Sequence, residues 1–148
     1  MGLVDAVWAL RHSFYSGLAA WGAVPSRTAL SEVAGGVGEL ERRLRVLHDH
    51  HQVLLDADGS IRMVLPFSAI PTDHIVRSGD HRWFANCAWD SLAIPAALGV
   101  DAEIQAPWLD DGSPVELRIV DGELVGDTDA RVHFVVPAAR WWDDIVDT

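Results

Sequence analysis

The single cysteine of this 148-residue chain, Cys87, sits inside the run His81-Arg82-Trp83-Phe84-Ala85-Asn86-Cys87-Ala88-Trp89-Asp90-Ser91-Leu92-Ala93-Ile94-Pro95-Ala96-Ala97-Leu98-Gly99. The run begins strand-like and ends as a short apolar helix, so the sulfur falls at the junction. Asn86 reads as the N-cap, because its side chain can accept a hydrogen bond from the free backbone N–H groups that follow. Cys87 is then the first helical residue. There the positive end of the helix dipole favours a thiolate, the form that attacks electrophiles and binds soft metals. Asp90, three residues on, shares the same helix face and can hold a proton. The spacing thus offers a nucleophilic or metal-binding sulfur beside a proton carrier. The competing reading is a small core side chain followed by an acid that merely suits a first helical turn. Pro95 predicts a short or kinked helix.

Hydropathy and charge narrow the rest. With 49% hydrophobic and 22% charged residues the chain has a globular composition, and its length suits one domain or two small ones sharing a core. It carries 22 acidic and 11 basic residues, a net charge of −11. Such a charge repels phosphate backbones and anionic lipid, which argues against nucleic-acid and membrane partners. One cysteine forms no internal disulfide, no signal-peptide pattern opens the chain, and no apolar run approaches the ~20 residues that span a bilayer. A cytoplasmic location is the expectation.

Apolar residues at Leu3, Val4, Val7, Leu10, Phe14 and Leu18 predict an amphipathic first helix. Pro25-Ser26-Arg27-Thr28 offers a stop and a cap before a short helix over 29–34, closed by Gly35-Gly36. A third helix follows over 37–50, with Leu40, Leu44 and Leu47 inward. Val53-Leu54-Leu55 and Ile61-Arg62-Met63-Val64 flank an Asp/Gly turn and predict a hairpin. Three helices and a hairpin resemble a winged helix-turn-helix. The acidic whole opposes DNA binding despite Arg42, Arg43 and Arg45, leaving a scaffold or homodimer contact as the preferred role. Beyond Pro66, strands are predicted over 74–77, 82–85, 102–105, 115–119 and 132–136, with a terminal helix or turn over 137–145. The fold class is therefore α+β, with a helical, winged-helix-like part (1–65) packed on a mixed strand and helix part (66–148).

Further chemistry is sparse. His48, His50 and His51 lack the i, i+4 spacing of a zinc helix, so a capping or surface role is preferred. His74, His81 and His133 lie on or beside predicted strands. No phosphate-binding glycine loop and no serine-nucleophile elbow occurs. Trp83, Trp89 and Trp108 are candidate walls for an apolar organic group, and Trp141 and Trp142 bracket the same site in sequence. Core packing explains them equally well.

The segments Trp83–Gly99 (WFANCAWDSLAIPAALG), Leu65–Val76 (LPFSAIPTDHIV) and Val132–Ile145 (VHFVVPAARWWDDI) resemble the alkylmercury (organomercurial) lyase family, most specifically at Cys-Ala-Trp-Asp followed by Leu and Pro. The resemblance implies that Cys87 captures mercury and that Asp90 transfers the proton to the departing carbon. It also implies a helical N-terminal part packed on the catalytic part, and a second active-site cysteine shortly after the segment Arg140–Thr148. No residue of this sequence supplies that cysteine, so the expectation is a divergent member. No resident cofactor is expected. The ligands expected are mercury or another soft metal at Cys87, a small organometallic or apolar electrophilic substrate, and an external low-molecular-weight thiol. Two other readings stay open: a noncatalytic thiol-dependent binder of metals or small apolar ligands, and a winged-helix regulator that senses through Cys87.

Overall fold

Leu10, Phe14 and Leu18 recur every fourth residue of the first helix, and all three are buried in the computed structural model, which describes residues 2–127 and 129–146. That stripe makes α1 (Leu3–Trp21) the inner helix of the N-terminal part. It ends where Gly22 turns left-handed and its N–H bonds the Leu18 carbonyl. Ser26 caps α2 (Arg27–Ala34) by accepting from the Ala29 N–H at 3.2 Å. In α3 (Val37–Asp49) Leu40, Leu44 and Leu47 face inward, while Glu39 pairs with Arg42 and Arg43 on the outer face. Among the described residues no helix is long and apolar enough to cross a membrane.

The strands form one eight-stranded antiparallel sheet, and it runs from the N-terminal hairpin into the C-terminal half. In chain order they are β1 (Leu54–Leu55), β2 (Ile61–Val64), β3 (Phe67–Ser68), β4 (Ile75–Ser78), β5 (His81–Ala85), β6 (Ala102–Pro107), β7 (Pro114–Val120) and β8 (Glu123–Gly126). Their spatial order is β1-β2-β3-β5-β4-β6-β7-β8. The short β3 joins the halves: Phe67 pairs with Val64 of β2 on one side and with Ala85 of β5 on the other. Both expected hairpins form, β1 with β2 and β4 with β5. Strand β5 leads directly into α4 (Ala88–Leu98), which buries Ser91, Ile94 and Pro95. The helix continues through Pro95 for a further turn, so the proline does not shorten it to the residues before it.

One expectation on the last third, the strand over 132–136, is corrected, while the terminal helix or turn is present. Residues 132–136 form no strand; Phe134 instead packs against Trp89 and Trp141, so its apolar side chain covers a cavity and joins no ladder. The terminal element is a 3-10 helix over Ala138–Asp143. Strand β8 was not expected, because all four of its residues are exposed and give no alternation.

Two contacts tie α1 to the sheet beneath the site. The buried Trp83 indole donates to the Leu18 carbonyl at 2.7 Å, and the Tyr15 hydroxyl donates to the Leu65 carbonyl at 2.7 Å. Gly22 sits at the same seam, with φ 66° and with no room for a Cβ against the Arg82 carbonyl oxygen of β5. A Cβ in the left-handed region alone costs about 1–2 kcal/mol. Gly22→Ala is thus expected to lower stability by clearly more than Gly35→Ala, where φ is 81° but nothing lies within 4 Å of the added carbon. Urea unfolding of the two variants checks this, and equal losses would show that α1 and β5 are not in close contact.

Candidate active site

The junction of β5 and α4 is held from outside the helix. Cys87 is itself the N-cap, in extended conformation with φ −153° and ψ 178°, and Ala88 is the first helical residue. The expectation that Asn86 caps the helix is therefore corrected by one position. Its amide has other partners: Nδ2 donates to the Pro66 carbonyl at 3.1 Å and to Asp90 Oδ2 at 3.0 Å. Asn86 thereby ties the strand preceding the site to the acid on the first turn of α4. Its Oδ1 is buried without a partner.

Burial governs the chemistry of both candidate residues. It pushes the Cys87 thiol up, and the Asp90 negative charge adds to the shift, against the pull of the Asp90 and Trp89 backbone amides. The helix-start N–H groups pull toward the thiolate as expected, and loss of hydration opposes them as the larger cause. Burial likewise raises the Asp90 carboxyl, while hydrogen bonds from Asn86 and Cys87 oppose the rise. Carboxyl and thiol ordinarily lie about five pKa units apart. Both move upward, so burial favours the protonated form of each, and the two groups hydrogen-bond one another. A thiol beside a carboxyl group is an arrangement chemically able to pass a proton between sulfur and acid.

Cys87 and Asp90 open onto a cavity of about 160 Å³ whose walls include Leu65, Trp89, Phe134, Trp141 and Trp142. Trp89 meets Phe134 edge-on at 6.0 Å, Phe134 stacks on Trp141 at 5.1 Å, and Trp142 stacks on His51 at 4.0 Å. An apolar group beside the sulfur would be shielded from water here. Trp89, Trp141 and Trp142 thus come together on one cavity. Trp83 lines neither this cavity nor the next. It is 3% exposed, stacked on His81 and bonded to α1, so it belongs to the core. Trp108 lies on a second cavity of about 370 Å³, lined also by Cys87, His74 and His133. Burial lowers the His74 imidazole. His48 accepts from the Leu55 N–H at 3.3 Å, and no group of three or more metal-binding side chains occurs among the described residues.

Residues 67–148 match the family model for alkylmercury lyase, MerB. The chain belongs to the alkylmercury lyase family. Curated alkylmercury lyases from Bacillus cereus and Clostridium butyricum are each 29% identical to it over 100 residues, covering 66% of this chain and 45% of theirs. The chain thus spans less than half the length of these relatives. The mercury-bound form of MerB2 superposes with a TM-score of 0.65 at 25% identity, over 84% of this chain and 60% of that one. The matched α+β architecture includes the strand, the junction and the helix that carry Cys87 and Asp90 in this lyase-family chain.

Sequence reasoning missed the Asn86 bridge and Phe134. Nothing local announces either one, since Asn86 is used by carbonyl and carboxyl groups four and twenty residues away. The last two residues of the segment expected to precede a second cysteine, Asp147 and Thr148, lie outside the described residues.

The raised thiol sets a test. Cys87 alkylation by iodoacetamide should be slow at neutral pH and rise at a pH above the ordinary thiol range, because only the thiolate reacts. Asp90→Asn removes the charge that disfavours the thiolate, so the midpoint should move down. An unchanged or higher midpoint would contradict the pairing.

Proposed function

We propose that this family member cleaves carbon–mercury bonds, with Cys87 as the capturing sulfur and soft-metal ligand and Asp90 as the proton carrier. Mercury is soft and seeks sulfur, so the buried thiol is the donor suited to take it. As sulfur binds mercury its proton passes to Asp90, and Asp90 returns it to the mercury-bound carbon. The organic group leaves as hydrocarbon, and the carboxylate is regenerated. The carrying observation is a half-buried thiol and carboxyl at the start of one helix, opening together onto an aromatic-walled cavity. Mercury is here the substrate's metal and not a resident cofactor.

The chain's one cysteine supplies a single sulfur, so the second sulfur that would finish mercury's coordination comes in this reading from a low-molecular-weight thiol. That same scarcity favours a second reading, a thiol-dependent binder that stops at capture. The three N-terminal helices and the hairpin serve as a winged-helix-like scaffold for 66–148, through the Tyr15 and Trp83 hydrogen bonds beneath the site. A cytoplasmic setting, rich in reduced thiols, suits this chemistry.

The test is benzene release from phenylmercury in excess thiol. The wild-type chain is expected to turn over, Cys87→Ser to release none, and Asp90→Asn to lose at least about 100-fold, the usual contribution of a positioned general acid. Capture of one equivalent by the wild type with no benzene released would instead establish the binder.

A further inference from the structure

Cys87 and Phe134 are shared by two cavities, and the two differ in chemistry. The first holds Asp90 among aromatic walls. The second is more than twice as large by the same measure, about 370 against 160 Å³. Apolar side chains such as Trp108, Leu109 and Val115 line it, together with Arg131, His74 and His133. No Asp or Glu is among its lining residues, although the chain as a whole carries a net charge of −11. The Arg131 guanidinium lies at the rim, where it donates to the backbone carbonyls of Asp129 and Ala130. A concave surface whose lining holds no acid but has an exposed guanidinium and a half-buried sulfur fits a small molecule with an anionic head and a thiol end.

We infer that the second cavity is the docking site for the external thiol, and that it selects thiols bearing a carboxylate. The inference deepens the lyase reading and rests on it for the thiol's task, while the site itself can be tested without mercury. The organic group would occupy the aromatic cavity and the thiol would approach mercury from the second cavity, which Cys87 also lines. The exchange balances as Cys87–S–Hg–R plus R′S–H giving Cys87–S–Hg–SR′ plus R–H. The Hg–C and S–H bonds break and the Hg–S and C–H bonds form, with no oxidant or reductant. A second thiol then releases Hg(SR′)₂ and returns Cys87 to the thiol form.

The test uses thiol–disulfide exchange at Cys87 with dithiobis(nitrobenzoate) and with its uncharged amide analogue. Each reaction forms a mixed disulfide on Cys87 and frees one aromatic thiol. An acidic protein would otherwise disfavour the anionic reagent. The expected result is a faster, saturable reaction with the anionic reagent, and an anionic-over-neutral rate ratio that falls about fivefold in Arg131→Gln, the scale of one exposed charge pair. Arg131 is exposed, so the substitution leaves the fold in place. A preference for the neutral reagent, or an unchanged ratio in Arg131→Gln, would overturn the assignment. Should the wild type show the preference and the Arg131 dependence but release no benzene from phenylmercury, the thiol site stands and the lyase reading fails.

Discussion

The amide of Asn86 holds the arrangement together. By donating at once to the Pro66 carbonyl and to Asp90, it fixes the end of β5 against the first turn of α4. Everything chemical about the site follows from that junction, because it decides that Cys87 and Asp90 leave the backbone on the same side and share a cavity. The junction depends in turn on the sheet. Phe67 pairs with Ala85, and this places Pro66 within reach of Asn86.

Burial then sets the protonation states. A cysteine at a helix start is commonly activated by the dipole, but here desolvation is the larger cause and moves the thiol upward. In the proposed reaction, which needs a proton at carbon, the proton displaced from sulfur would be the one the product requires. Burial raises the Asp90 carboxyl too, and the Asn86 and Cys87 hydrogen bonds oppose that rise.

Much of this was legible in the sequence where the signal is local. The leucine and phenylalanine stripes of α1 and α3 named their own buried faces, and turn residues marked both hairpins. The pairing of Cys87 with Asp90 was visible from helical spacing. What failed was decided at a distance. Strand β3 is two residues long and exists only because β2 and β5 lie on either side of it. The alternation at 132–136 imitates a strand, yet the aromatic cluster over the cavity claims Phe134. Asn86 has the right chemistry for a cap, but the helix starts one residue later and its amide N–H groups bond Pro66 and Asp90 instead. Trp83 is near the site in sequence, but its position on β5 turns it toward α1, whereas Trp141 reaches the cavity from the far end of the chain.

The central claim is a division of labour, with sulfur capturing and carboxyl protonating. Intact-protein mass measurement after a single equivalent of phenylmercury separates the two steps directly. The account predicts that the wild type passes from a phenylmercury adduct to one holding mercury without the phenyl group, while Asp90→Asn stays as the phenylmercury adduct on Cys87. Loss of the phenyl group at the same rate in Asp90→Asn would contradict it.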